Sequence, residues 1–248
     1  MREWLGNRAA RVAKRLGYDP RLKWMDAQAF ELHHAIEYMK GQPNFADVVG
    51  RSERPECFMS AGFIDGLFLT EFFGGDVDRH KEFVSHIAGK AVLDIGPCIY
   101  TPLCLWDVAA NRAIIEPLYA AVSEWQTAEL GKNGFANIDQ AFSQGAEKLI
   151  PDLVGKIDGA ILVRNCIDHS PHWAFILANI SAYAAPGCQL LLWNDLMHPP
   201  AYLDGHYDIT DDASSFSTLL KQLGFRIDYE FSIQNTNFLD YGCRATKL

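Results

Sequence analysis

Five short apolar runs in the second part of the chain constrain its fold more than any other feature. They occupy residues 91–95, 112–116, 138–142, 157–163 and 189–193, and amphipathic stretches separate them. Runs of this length are too short for buried helices and lack the polar alternation of a half-exposed strand. They predict βαβ units around a parallel sheet covered on both faces. Two later runs, 225–231 and 241–246, flank a polar loop containing Gln234, Asn235, Thr236 and Asn237, too short to hold a crossover helix. They predict an antiparallel hairpin at the end of the sheet.

The first part of the chain reads differently. Residues 24–40 have a helical pattern, 41–55 read as loop, and 63–73 form an apolar helical stretch stopped by Gly74 and Gly75. The expected division is a helical lid or cap segment over 1–85 and a sheet domain over 86–248. Within residues 1–23, seven basic groups face two acids, a charge of +5, while the rest of the chain carries −14. Trp4, Leu5, Ala9, Val12, Ala13 and Leu16 recur there at helical spacing. Such a basic amphipathic helix either makes peripheral contact with an anionic membrane or packs on its own domain, the commoner use.

Lys and Arg total 22 against 31 Asp and Glu, a formal charge of −9, so no broad surface for nucleic-acid phosphates is expected. A small-molecule partner is the better expectation. No apolar run approaches the roughly 18 to 20 residues that span a bilayer. The six cysteines are scattered, with no Cys-x-x-Cys pair and no leader-type segment ahead of them. They read as reduced thiols of a cytoplasmic protein.

The chemistry is expected where the first run ends. Residues 91–95 lead into Gly96-Pro97-Cys98-Ile99-Tyr100-Thr101-Pro102 and then an expected helix. A glycine at the tip of a first strand lets a ligand approach the backbone, and a following helix N-terminus offers unpaired N–H groups. Twenty-two residues after Asp94, the second run ends in Glu116. A carboxylate there can accept both hydroxyls of a ribose.

On these residues the chain resembles the class I S-adenosylmethionine-dependent methyltransferases, over residues 72–248. Asp94-Ile95-Gly96-Pro97 is similar to the first motif of that family and Ile114-Ile115-Glu116-Pro117 to the second. Gln144-Gly145-Ala146-Glu147-Lys148-Leu149 is similar to the adenine-facing third, and Asn165-Cys166-Ile167-Asp168-His169 to the segment after strand four. Gly224-Phe225 matches the usual approach to the final hairpin. The resemblance implies an α/β fold: a Rossmann-like, seven-stranded, mostly parallel sheet with a C-terminal antiparallel hairpin, preceded by the helical segment. It also implies S-adenosylmethionine as cofactor, with Asp94, Gly96 and Asn165 along the methionine portion and Glu116 on the ribose. Pro97, Cys98, Tyr100, Pro117, Gln144, Gly145, Ala146 and Cys166 complete the implied cofactor-binding set. Tyr100, Phe72, Phe73 and Trp106 are candidates to face a positive sulfur, with core packing as the alternative.

The chain departs from the family at three points. Cys98 and Tyr100 stand where the first motif usually has glycines, which makes the loop bulkier and its backbone less free. The acid that commonly meets the adenine amine is replaced near Gln144, whose side-chain carbonyl, or the backbone of Ala146, would serve instead. An Asn-Pro-Pro-Tyr signature is absent after strand four, which argues against a DNA or protein-glutamine substrate.

His206, His169 and Asp168 are the candidates for a base that deprotonates an acceptor, with solvated loop and cap positions as the alternative. His169 and His172, spaced as H-x-x-H beside Asp168, invite a metal site, as do Asp195 and His198 after the fifth run. A metal needs three or four convergent ligands, and this spacing does not dictate convergence, so none is expected. The leading functional expectation is a methyltransferase acting on a small molecule or biosynthetic intermediate, with O-methylation favoured by the candidate bases. The alternatives are a non-methylating S-adenosylmethionine enzyme, a cyclase or lyase releasing methylthioadenosine, and a non-catalytic scaffold that retains the fold.

Overall fold

A computed structural model of the chain describes residues 70–131, 133–198, 206–236 and 238–248, together with His33 and Ile36, both helical. The basic segment 1–23, the loop 41–55 and most of the helix expected over 24–40 lie outside the described residues. Strands β1 (Ala91–Ile95), β2 (Asn111–Ile115), β3 (Gln140–Phe142), β4 (Ala160–Arg164), β5 (Gln189–Met197), β6 (Phe225–Asn235) and β7 (Phe238–Lys247) form one sheet. Their order is β3-β2-β1-β4-β5-β7-β6. The first five are parallel neighbours, and β7 lies antiparallel between β5 and β6. This is the expected seven-stranded sheet with its terminal hairpin.

Parallel strands carry apolar residues on both faces because both faces are covered. Along β1, Val92 enters one core and Leu93 the other; Ala160 and Ile161 of β4 divide in the same way. One core is closed by α3 (Trp173–Tyr183) and α4 (Ala213–Gln222), through Ile176, Leu177, Ile180, Phe216 and Leu220. The other is closed by α1 (Val77–Ile87), through Phe83 and Ile87, and by Val122 of α2 (Tyr119–Leu130). Asp76 starts α1 by accepting the N–H groups of Asp78 and Arg79, each at 3.1 Å. The helical turn 70–73 ends at Gly74 and Gly75, whose φ values of 61° and 83° are the left-handed geometry that glycine supplies without steric cost. α1 straddles the division expected near residue 85 and packs on the sheet.

Several sequence expectations about element lengths change: β3 and β4 begin at Gln140 and Ala160 rather than at 138 and 157, and β6 runs on through Gln234 and Asn235, which read as loop. The helix expected after the first loop is only a three-residue 3-10 turn, Pro102–Cys104, capped by Thr101. Pro97 and Pro102 remove two N–H donors there, and α1 already fills that face, with Phe83 and Trp106 ring centroids 5.2 Å apart. The fifth strand continues past Trp193 to Met197, because Asn194 and Asp195 keep pairing with β7 although they end the apolar run.

Candidate active site

The strand order reverses between β1, which continues to β2 on one side, and β4 on the other. A crevice opens beyond the carboxyl ends of strands at such a point. Here it is a cavity of about 320 Å³ lined by the loop after β1, the tip of β2, the turn at Gly145 to Glu147, and the end of β4. Of the residues singled out from sequence, Asp94, Gly96, Pro97, Cys98, Tyr100, Glu116, Pro117, Gly145, Ala146, Asn165, Cys166 and His169 line it. Gln144 does not: its amide donates to the Lys148 carbonyl at 3.2 Å, within its own turn. Phe72, Phe73 and Trp106 are also elsewhere, buried in the core under α1, so Tyr100 alone of the four aromatic candidates lines the cavity.

The loop after β1 keeps a glycine-like path without the glycines. Gly96 has φ 69°, and a Cβ added there would lie 2.4 Å from the Cβ of Cys166. This position requires glycine both for its conformation and for the close approach of the β1 and β4 tips. Cys98 has φ 52°, also left-handed, at a conformational cost of roughly 1 kcal/mol. Glu116 holds it there: its carboxylate accepts the Cys98 N–H at 2.8 Å on one oxygen and the Leu118 N–H at 2.8 Å on the other. Glu116 is 3 % exposed, and burial raises its pKa against the pull of those two N–H donors. Each oxygen keeps a lone pair for a further donor.

Asp94, at the end of β1, is equally buried and accepts the Thr101 hydroxyl at 2.6 Å. Burial pushes its pKa up to about 7, despite that hydrogen bond and the Arg164 guanidinium nearby. Cys166 donates its thiol to the Ile95 carbonyl at 3.1 Å, and burial holds it well above the usual thiol range. Arg164, unremarked in the sequence, donates to the Tyr100 hydroxyl at 2.7 Å and pairs with Glu71 at 3.2 Å. Its guanidinium also stands 5.7 Å from the Trp193 ring. A cation ending an apolar strand is the signal that could have found it. The half-buried triplet fixes the Tyr100 ring on one cavity wall, with the Arg164 charge paired by Glu71.

Asp168 and His206 stand behind the wall rather than on it. Asp168 is fully buried and accepts the His206 Nδ1–H at 2.8 Å and the Asn194 side-chain N–H at 2.7 Å. Asn194 also accepts the N–H groups of Cys166 and Ile167, both at 2.9 Å, so β5 holds the turn after β4 in shape. Burial alone would raise the Asp168 pKa, but the imidazoles of His169, His198 and His206 hold it well below the usual carboxylate range. His198 Nε2 lies 2.9 Å from Asp168 Oδ2, and His169 Nε2 lies 3.7 Å from the same oxygen. His172 faces away, its ring centroid 6.1 Å from that of Phe175. The convergence that spacing could not dictate is supplied by β5, whose extension brings His198 back to the turn after β4. Among the described residues, five cysteines are free thiols and no helix is long and apolar enough to cross a membrane.

No protein-family model matches the chain, and neither does any curated protein. Solved structures do. The cyclase SpnF superposes with a TM-score of 0.51 at 14% identity, over 68% of this chain and 80% of that one. A candidate methyltransferase from Bacillus halodurans C-125 gives a TM-score of 0.49 at 13% identity, over 70% of this chain and 99% of that one. A candidate S-adenosylmethionine-dependent methyltransferase from Listeria monocytogenes gives 0.48 at 14% identity, over 71% and 99%. The chain has a Rossmann-like α/β fold, its seven-stranded sheet closing on an antiparallel pair, in common with SpnF.

Proposed function

We propose that the chain binds S-adenosylmethionine in this cavity and transfers its methyl group to a small-molecule acceptor, with an oxygen as the favoured acceptor atom. The observation that carries the reading is the meeting of the left-handed loop after β1, the Glu116 carboxylate and the Asn165–Cys166 turn around one cavity at the strand reversal. An open cavity at the bulky Cys98 and Tyr100 also argues against a scaffold whose site those side chains have closed.

The residues fit the group. Glu116 has spare acceptor capacity on both oxygens for vicinal hydroxyls, and Gly96 brings bare backbone to the cavity. Asp94, once ionised, is an acceptor for an ammonium. The Tyr100 ring supplies a face for a sulfonium, a contact worth about 0.5 to 2 kcal/mol. When bound, the cofactor supplies an electrophilic methyl on that sulfonium. The chain then has to orient an acceptor and accept its proton. His169 is the histidine on the cavity wall and the candidate to take that proton, with its buried Nε2 turned toward Asp168. Asp168 behind it stabilises the resulting cation.

Calorimetric titration with S-adenosylmethionine, with mass spectrometry of the same sample, tests the proposal. Binding in the micromolar range with an intact cofactor, and S-adenosylhomocysteine only once an acceptor is added, is the expected result. Methylthioadenosine without an acceptor would replace methyl transfer by cyclisation or lysis. Failure to bind would refute the cofactor assignment.

A further inference from the structure

Behind the cavity wall, the turn after β4, the end of β5 and the chain at residue 206 bring three metal-ligating side chains to one point. Asp168 Oδ2 is 2.9 Å from His198 Nε2 and 2.8 Å from His206 Nδ1, and the three donor atoms all lie within 4.8 Å of one another. Ligands bound about 2.0 to 2.2 Å from one ion stand roughly 3 to 3.5 Å apart, so small ring rotations suffice to close the triad on an ion.

From this geometry we propose that Asp168, His198 and His206 bind a divalent transition-metal ion.

Three further observations point the same way. Both ring nitrogens of His198 are buried without a hydrogen-bond partner, although a carboxylate oxygen lies 2.9 Å from one of them. A metal ion at the shared centre would displace the protons that His198 and His206 hold against Asp168 Oδ2. The surroundings then orient the ligands as outer partners of metal sites do. The Asn194 amide occupies Asp168 Oδ1, leaving Oδ2 for the ion, and Asp208 Oδ1 stands 3.5 Å from the far nitrogen of His198. The local charge also favours a cation. Asp195 lies 3.9 Å from His198 Nε2 and Asp208 3.5 Å from its Nδ1.

Two imidazoles and one carboxylate are a donor set for zinc, iron(II), cobalt(II), nickel(II) or manganese(II) rather than for calcium or magnesium, which prefer all-oxygen shells. The ion pins the chain that follows β5 to the turn after β4. That pin sits next to His169, whose ring centroid is 4.5 Å from that of His206. The site does not depend on the cofactor reading, because none of its three ligands lines the cavity.

The test uses the full chain, stripped with a chelator and titrated with CoCl2 by visible absorption and with ZnCl2 by calorimetry. The proposal expects one equivalent per chain, visible cobalt bands of a low-coordinate nitrogen and oxygen site, and a rise in melting temperature on loading. His206→Ala and His198→Ala should each weaken binding at least about a hundredfold, and Asp208→Asn about tenfold through the orientation of His198. His172→Ala should bind like the parent. If His198→Ala does not fold by circular dichroism, His206→Ala decides, since His206 sits in a loop and is partly exposed. Folded parent that takes up no cobalt or zinc, or uptake unchanged in a folded His206→Ala chain, would overturn the proposal. Neither outcome touches the S-adenosylmethionine titration.

Discussion

Replacing Asp94 by Asn separates what the residue does for stability from what it does for binding. Asp94 is 2 % exposed, and burial raises its pKa from 3.8 to about 7. Thr101 and Arg164 oppose the rise, and the neighbouring Glu116 carboxylate adds to it. At 1.36 kcal/mol per pH unit the displacement corresponds to about 4 kcal/mol. Because the folded pKa is the higher one, the folded chain keeps a proton that the unfolded chain has released. The contribution is therefore fully present below about pH 4, falls by about 1.4 kcal/mol per unit between pH 4 and 7, and levels off above.

Asn fills the same volume and still accepts the Thr101 hydroxyl, but it carries no charge. Urea unfolding at pH 5 and pH 8 should show the Asp94→Asn variant gaining stability on the parent at pH 8, by up to about 4 kcal/mol, and less at pH 5. Calorimetry should show the reverse for S-adenosylmethionine, whose affinity falls because an amide cannot meet a cation as a carboxylate does. Equal stability differences at the two pH values would refute the account of a buried, reluctantly ionised acid. Ionisable groups that do not interact with Asp94 are common to both chains and cancel in that comparison.

Glu116→Ala removes the carboxylate proposed to accept both ribose hydroxyls, two charge-assisted hydrogen bonds each worth about 1.5 to 3 kcal/mol. Calorimetry should show a loss of cofactor affinity of about a hundredfold or more, and an unchanged dissociation constant would refute the placement of the ribose. Gly96→Ala should destabilise by about 2 to 4 kcal/mol, from overpacking and a left-handed alanine. Thermal melts should then show more rescue by Cys166→Gly than by Cys166→Ala, because Ala removes the Sγ overlap at 2.7 Å but keeps the Cβ overlap at 2.4 Å. Arg164→Met strands Glu71, which should cost about 3 to 5 kcal/mol in chemical denaturation, and adding Glu71→Gln should recover part of it.

Most of the sheet is legible in the sequence because parallel strands buried on both faces leave unbroken apolar runs: β1 spans the very residues its run occupies. Glu116 and Gly96 are legible for the same reason, since a strand tip locates them. No local pattern corrects the helix expected after the first loop, because α1, whose docking is a tertiary event, takes the face that helix would cover. Asn194 and Asp195 read as the end of a strand because polarity normally marks the limit of a buried run. Here the amide is buried for the bonds it makes to the turn after β4, a contact across 28 positions of sequence. Arg164 is hidden likewise, and so is the convergence of His198 on Asp168: each finds partners on elements distant in the chain. Gln144 is misplaced by its motif because its side chain closes its own turn, which a motif cannot show.

Glu116 also redistributes mutational tolerance around the loop. In a glycine-built turn the backbone path is written locally, and each glycine is individually indispensable. Here part of that instruction has moved to a carboxylate on the neighbouring strand, which holds the backbone at 98 whatever side chain is attached. Position 98 is thereby open to any residue that tolerates a left-handed backbone, such as Gly, Asn or Asp. Position 116 is closed even to Gln, whose NH2 would confront one of the two N–H donors, and to Asp, which is one methylene short. The turn is robust where a motif is strict, and brittle at a single residue outside it.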